Sequence, residues 1–216
     1  MESSKEIIIV PWDFSDHSEN ALKHAIQLAN VVGNNILLVN VVEKRGLFTS
    51  KAVKQKEIDI ARMRLKETGN EILRKYNVEP FILIEEGFTS KNFENLISDA
   101  NANLVLLGAN FKVGKNVLGP AEYLNVLKET NIPFVVAEHN PSHTYYKEIV
   151  VPLDHDKTYR ETVQWIVYLS KYYQCNINII KPYLEEGDLK KDMENNIYFT
   201  KKMLDAKGVI YGIKTA

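Results

Sequence analysis

The sequence is short of cysteine, of charge imbalance and of long apolar runs. Cys175 is the only cysteine among 216 residues, which excludes an internal disulfide framework and a zinc site built on several cysteines. The 27 basic and 28 acidic side chains leave a formal net charge of -1, so no global attraction to nucleic acid or anionic lipid is expected. No apolar run approaches the ~20 residues of a membrane span, and the polar start MESSKE is not a signal peptide. We therefore expect a cytoplasmic protein with no nucleic-acid or membrane partner.

Two segments of the sequence resemble each other at an offset of 141 residues. Pro11 and Asp13 fall on Pro152 and Asp154, in each case directly after a short apolar run. The same offset continues through a helical pattern into a second apolar run, so the register holds over three elements. This self-similarity predicts a duplicated domain. The expected boundaries are a first domain at 1–140, a linker at 141–146 and the first half of a second domain at 147–216.

Apolar strands alternate with amphipathic helices throughout the first copy. Short continuous apolar runs are typical of strands that are buried on both faces of a parallel sheet. The first helix has Ser15 as a candidate N-cap and Gly33 as its stop signal. Strict alternation predicts an α/β fold with one parallel, doubly wound, five-stranded sheet and right-handed crossovers. The expected strands are Ile7–Val10, Ile36–Val42, Pro80–Glu85, Leu104–Leu107 and Pro133–Ala137.

The second copy reaches only its third strand by register, in the run KGVIYGIKTA. A parallel sheet made of strands one to three leaves the first strand, Ile149–Leu153, without a neighbour on one side. The interpretation that we favour is that the chain is a fragment of a longer protein. The alternative is that something else covers this edge, and for the 216-residue chain we expect a second copy of itself or the first domain to do so.

Candidate binding residues lie where ligands bind in open α/β sheets, at the carboxyl ends of the strands. Asp13 follows the first strand and Gly108 ends the fourth, so we expect both to border that crevice. The segment GANFKVGKNVLGPAEY follows the fourth strand. Glycines there allow backbone N–H groups to approach phosphate oxygens without a side-chain clash.

Other motifs of the sequence are weaker indications of a binding or catalytic site. A Walker A loop needs four residues between its Gly and its Gly-Lys pair, then Ser or Thr, whereas here five residues intervene and Asn116 follows. His139 and His143 are four residues apart on a proline-containing segment rather than on a helix, so no metal site is expected. The cluster Asp154 to Asp156 favours a hydrogen-bonded turn. The basic stretch Lys44–Lys75 is interpreted as a solvated helix face, with docking of a protein partner as the alternative.

Two longer runs carry a family resemblance. IIIVPWDFSDHSENALKHAIQLAN and NLVLLGANFKVGKNVLGPAEYLNVLKETNIPFVVAEH resemble the universal stress protein family. The resemblance covers residues 5 to about 140 as a whole domain and 147–216 as the first half of another. It implies a sheet of strand order 3-2-1-4-5, a cytoplasmic stress role, and dimers formed through the edge of the fifth strand, Pro133–Ala137.

The same resemblance implies a nucleotide site. Family members that bind ATP carry G-x2-G-x9-G-[ST] after the fourth strand, and the motif here departs from that pattern at three points. Phe111 stands in place of the second glycine, the spacing between the outer glycines is two residues short, and Pro120 replaces the Ser or Thr. The site residues that the resemblance implies are Pro11, Asp13, Val41, Gly108, Gly114 and Gly119.

We predict from these departures that ATP binds weakly or not at all. Phe111 would fill glycine space, and Pro120 would remove a backbone donor. The leading hypothesis is a non-catalytic regulatory or adaptor module of the stress response, with no catalytic residues, no metal and no certain cofactor. The alternative is a stress protein that binds ATP or another adenine nucleotide and hydrolyses ATP slowly.

Overall fold

Two units make up the chain, Met1–Ser142 and His143–Ala216. The structure is a computed structural model, and it describes residues 5–44, 50–130, 132–142 and 146–215. Within those ranges no helix is both long enough and apolar enough to cross a membrane.

The first unit alternates strands and helices, and local sequence signals set the ends of its elements. The first helix begins after Ser15, whose side chain accepts a hydrogen bond from the N–H of Ser18, and it ends at Gly33, whose φ of 81° is left-handed. The second helix is capped in the same way by Ser50. The elements are β1 (Ile7–Pro11), α1 (Asp16–Val32), β2 (Asn35–Val42), α2 (Lys51–Tyr76), β3 (Phe81–Glu86), α3 (Ser90–Asp99), β4 (Ala102–Gly108), β5 (Phe111–Val113), β6 (Asn116–Leu118), α4 (Pro120–Leu127) and β7 (Phe134–Ala137).

The main sheet of the first unit has five parallel strands in the order β3-β2-β1-β4-β7. This confirms the predicted order 3-2-1-4-5, with β7 as the fifth strand. The sequence did not predict the antiparallel hairpin of β5 and β6, which lies between β4 and α4. The hairpin occupies the segment that was expected to be a glycine-rich loop.

Helices cover both faces of this sheet, as right-handed crossovers require. On one face, Ile9 and Leu37 belong to a buried cluster with Phe93 of α3 and Tyr123 of α4. The strands present their alternate residues to the other face, where α1 and α2 pack. The first unit therefore has three layers, with the sheet between two layers of helices. Its main core lies on the two faces of the sheet.

The second unit has one sheet of three parallel strands in the order β10-β9-β8. Its buried strand residues are Val151, Ile177 and Ile179, whereas the residues next to them along each strand are partly or fully exposed. That alternation is typical of a sheet with helices on one face. The elements are β8 (Glu148–Pro152), α5 (Tyr159–Tyr173), β9 (Asn176–Lys181), α6 (Asp188–Ala206) and β10 (Tyr211–Thr215).

The strand register of the second unit repeats that of the first. The N–H of Trp12 donates to the carbonyl oxygen of Val39 at 2.8 Å, and the N–H of Leu153 donates to that of Ile180 at 2.8 Å. Both residues of the second pair lie 141 positions after those of the first. The left-handed residues that end α1 and α5, Gly33 and Gln174, keep the same offset. The offset found in the sequence is therefore also the offset of the backbone hydrogen bonds.

Candidate functional site

Asp13 joins three elements at the carboxyl end of the main sheet. It lies two residues past β1, and its Oδ1 accepts hydrogen bonds from the backbone N–H and the hydroxyl of Ser15, at 3.0 and 2.5 Å. Its Oδ2 accepts from the backbone N–H of Lys112 in β5, at 2.7 Å. The carboxylate therefore links the end of β1 to the start of α1 and to the hairpin.

Phe14, directly after Asp13, has an unusual backbone conformation. Its φ of 64° is left-handed, which for a residue with a Cβ costs roughly 1–2 kcal/mol. Two contacts hold the ring: the guanidinium of Arg64 lies 3.9 Å from its centroid, and the Trp12 ring meets it edge-on at 6.3 Å. The Arg64 contact brings a cation from α2 to the carboxyl end of β1.

A cleft of about 370 Å³ opens beside Asp13. That volume lies within the range of small-molecule sites. Two cations, Arg64 and Lys112, and three carboxylates, Asp13, Glu43 and Glu57, contribute to its walls. The described residues that line it are Asp13, Phe14, Asn40, Val41, Val42, Glu43, Glu57, Ile60, Ala61, Arg64, Lys112 and Gly114.

Three of the predicted site residues, Asp13, Val41 and Gly114, meet at this cleft. Gly114 forms the hairpin turn with a φ of 60°, and a Cβ there would lie only 2.7 Å from Oε2 of Glu43. A carboxylate therefore packs directly against the glycine that the sequence assigned to a phosphate loop. Sequence reasoning missed Glu43, although its position directly after β2 is a signal for this edge of the sheet.

The other predicted site residues, Pro11, Gly108 and Gly119, do not belong to the described lining of the cleft. Pro11 is buried at the end of β1 and pairs with β2. Gly108 packs against the first turn of α1, where an added Cβ would lie 2.5 Å from the backbone carbonyl of His17. Gly119 is the N-cap of α4, and its N–H donates to Oε2 of Glu122 at 2.9 Å. Each has a structural role at its own position.

Phe111, which was expected to fill the space of a motif glycine, lies in the core of the first unit. Its side chain is 2% exposed and belongs to the core cluster, with its centroid 5.8 Å from that of Phe88. Because β5 is a strand, Phe111 and Val113 point inward and Lys112 points outward. The alternating run Phe-Lys-Val was the signal that could have identified both this strand and Lys112 as a residue of the cleft.

The hydroxyl of Tyr123 is a buried polar atom whose pKa responds to the charge of Asp13. Its ring is fully buried in the core cluster, and its hydroxyl has no hydrogen-bond partner among the described residues. Burial raises the pKa of Tyr123 well above its usual range, and the charges of Asp13 and Glu122 raise it further. The hydroxyl therefore stays protonated at neutral pH.

In the second unit, a different aspartate makes the two bonds to a hydroxyl residue that Asp13 makes with Ser15 in the first. Asp156 accepts from the N–H and the hydroxyl of Thr158, at 2.8 and 2.9 Å, in the pattern of Asp13 with Ser15. These bonds lower the pKa of Asp156. Asp154 occupies the backbone position equivalent to Asp13 but bonds to the neighbouring His155. Helix α5 starts two residues later than the offset implies, so the aspartate that precedes it has shifted as well.

Comparison with known proteins gives consistent matches. A family model described as the universal stress protein family matches residues 5–137. A universal stress protein of Methanocaldococcus jannaschii is 23% identical over 157 residues, which cover 62% of this chain and 96% of that protein. A universal stress protein structure from Archaeoglobus fulgidus superposes with a TM-score of 0.70 at 16% identity, over 97% of this chain and 77% of that one. One from Pseudomonas aeruginosa gives 0.50 at 12% identity, over 99% and 75%. At these identities the two structural matches show the fold alone.

Proposed function

This chain belongs to the universal stress protein family, and from that premise we propose that it is a non-catalytic regulatory or adaptor module of a cytoplasmic stress response. In this proposal the protein works through its surfaces rather than through nucleotide hydrolysis. The observation that carries it is the state of the backbone donors after β4, where the family resemblance places phosphate contacts.

Two of those donors are already bonded to carboxylates of the protein. The N–H of Lys112 donates to Asp13 at 2.7 Å, and the N–H of Gly119 donates to Glu122 at 2.9 Å. Pro120, next in the chain, has no N–H to offer. A phosphate group would have to break these charge-assisted bonds, each of which contributes about 1.5–3 kcal/mol.

The negative charge of Glu43 at the hairpin turn also opposes the binding of a phosphate. Glu43 packs against Gly114 at the place where a glycine would admit a phosphate. A phosphate placed against Gly114 would lie next to the Glu43 carboxylate. Two anionic groups in contact repel each other unless a cation lies between them. The arrangement supports a site in which protein carboxylates have replaced the anionic ligand.

A second candidate function is binding of an adenine nucleotide with slow ATP hydrolysis. The observation that favours it is the cleft itself, because Asp13 and Val41 meet there with the cations Arg64 and Lys112. Cations on the walls of a cleft of this size suit a small anionic ligand. Under this alternative, Glu43 would have to move when the nucleotide enters.

Isothermal titration with magnesium ATP separates the two functions. For the wild-type protein we expect no saturable heat below about 1 mM, whereas micromolar binding would contradict the leading proposal and support the nucleotide site. Glu43→Gln removes the carboxylate at Gly114 and should improve binding. The matched control is Glu67→Gln, an equal charge change on an exposed part of α2, which should have no effect.

A further inference from the structure

The second unit contains a cavity of about 450 Å³ at the amino ends of β9 and β10. Its walls are formed by the last two turns of α5, the start of β9 and the segment 207–210, which joins α6 to β10. Both helices of the unit therefore end beside it. The volume lies within the range of sites that hold small molecules.

The strand register locates the counterpart of this place in the first unit. Phe81 of β3 and Gly212 of β10 pair with residues of β2 and β9 that are themselves 141 positions apart. Phe81 and Gly212 are therefore counterparts, at an offset of 131 residues. At the same offset Asn77 falls on Gly208, and both have a left-handed backbone, with φ of 54° and 67°. The turn that leads into the third strand is thus the same in both units.

At that offset, Lys207 takes the place of Tyr76. The Tyr76 ring is partly buried at the end of α2, whereas the Lys207 side chain is exposed and lines the cavity. A solvated ammonium on a flexible stem leaves open the space that a packed ring fills. In the first unit these residues belong to the side of the sheet on which α1 and α2 pack. The cavity is therefore bounded by elements that both units contain.

Aliphatic side chains and a thiol form the inner wall of the cavity. Val167 and Val209 are partly buried, and Cys175 is 6% exposed. Ile210 extends the apolar wall to the mouth, where it is 73% exposed. None of the described lining residues is aromatic, so the wall has no ring on which a flat ligand would stack. These walls suit an aliphatic chain.

The charges at the mouth have one sign. Lys171 and Lys207 line the cavity and are exposed, and no acidic side chain belongs to its described lining. The carbonyl ends of α5 and α6 oppose them, since each helix C-terminus carries a partial charge of roughly -0.5. Two ammonium groups and two helix ends leave about one net positive charge. That balance matches a singly charged anion better than a phosphate.

We propose that this cavity binds a monocarboxylate with an aliphatic chain, of the kind found in medium-chain fatty acids. The chain lies against Val167, Val209 and Ile210, and the carboxylate meets the ammonium groups of Lys171 and Lys207. The site is separate from the cleft of the first unit, so it holds whether or not that cleft takes a nucleotide.

Isothermal titration of the full chain with sodium decanoate tests the proposal. The wild-type protein should bind decanoate saturably, with a dissociation constant below about 1 mM, and inorganic phosphate should not compete. Lys207→Gln removes one charge and keeps the space, so it should weaken binding about three- to fivefold. The matched control is Lys201→Gln, the same change on an exposed part of α6 outside the cavity, which should have no effect.

Two further measurements locate the bound decanoate. Lys207→Tyr supplies the ring that the first unit has and should abolish binding by filling the cavity, with a thermal melt to check that the variant is folded. Cys175 is the only cysteine of the chain and lines the cavity, so it reports occupancy there. Its modification by N-ethylmaleimide should slow as decanoate is added, with a half-maximal effect at the dissociation constant found by titration.

Several results would overturn the proposal. Absence of saturable decanoate binding does so outright. Binding that persists in a folded Lys207→Tyr variant, or that leaves the rate of Cys175 modification unchanged, places the ligand elsewhere. Equal affinity of Lys207→Gln and the wild type, or displacement of decanoate by phosphate, contradicts the assignment of a carboxylate to the two lysines.

Discussion

Replacing Gly108 by alanine should destabilise the first unit by steric conflict alone. An added Cβ would lie 2.5 Å from the backbone carbon and oxygen of His17 and 2.8 Å from its Cβ. Ordinary contacts of this kind begin at 3.4 Å, so β4 and the first turn of α1 would have to separate by nearly 1 Å. Neither element can move freely, because Asp13 and Ser15 hold the start of α1 and β7 pairs with Gly108.

Overpacking of this kind typically costs about 1–3 kcal/mol, and contact with backbone on both sides places Gly108 at the upper end, about 2–3 kcal/mol. For a unit of this size that corresponds to a fall of roughly 5–10 °C in the melting temperature. Urea unfolding followed by circular dichroism and by the fluorescence of Trp12, the tryptophan of the first unit, should show a lower midpoint with an unchanged slope.

Two other glycines serve as controls. Gly69 lies inside α2, and an added Cβ there meets nothing closer than 3.8 Å, so Gly69→Ala should stabilise the unit by about 0.5–1 kcal/mol. Gly33 has a φ of +81° with nothing within 4 Å, so Gly33→Ala should show the cost of the left-handed conformation alone, about 1–2 kcal/mol. If Gly108→Ala proves as stable as the wild type, the close packing of β4 on α1 described here is refuted.

Three further predictions concern single side chains. Asn196→Ala should destabilise the second unit by about 1–3 kcal/mol in urea unfolding, because the buried Asn196 amide donates to the carbonyls of Asp154 and Asp156 at 2.9 and 2.7 Å; an unchanged midpoint would contradict this. Tyr123→Phe should change stability by less than about 1 kcal/mol, since the lost hydroxyl has no partner among the described residues; a larger loss would reveal a bridging water or ligand. The pKa of Asp156 should lie below its usual range in an NMR titration and rise in Thr158→Ala. A depressed pKa stabilises the folded state at pH values above the ordinary carboxyl pKa, and that contribution is lost as the pH falls through the depressed pKa. Identical titrations of the two proteins would exclude the hydrogen bond from the Thr158 hydroxyl.

The order of strands was predictable because its signals are local and repeated. Each buried parallel strand appears as a short apolar run, each helix as an amphipathic pattern with a cap, and right-handed crossovers leave few possible orders. The family resemblance then supplied 3-2-1-4-5, which the structure confirms. The third strand of the second unit was also predicted from register alone, and it is β10.

The candidate site was predicted less completely, for reasons that lie in particular residues. The alternation in β5 spans only three residues, and the glycines on either side of it favour a loop, so the hairpin was interpreted as a glycine-rich loop with Phe111 in the place of a glycine. Arg64 lies in the middle of α2, a helix with many charged residues, and nothing in the sequence distinguishes it from the others as a residue of the site. The shift from Asp154 to Asp156 could have been found, because Asp13-Phe14-Ser15 and Asp156-Lys157-Thr158 share the pattern of an aspartate two residues before a hydroxyl cap.

In the second unit the described helices cover only one face of the sheet, and this affects the heat capacity of its unfolding. The heat capacity of unfolding follows the apolar area that becomes exposed, and averages about 12–15 cal/mol/K per residue in ordinary domains. A sheet whose other face already carries Asn178 and a well-exposed Val150 has less hidden area to release. Its heat-capacity increment per residue is therefore below that average, and its stability curve is flatter. The two units of one chain would then respond differently to cooling as well as to heating.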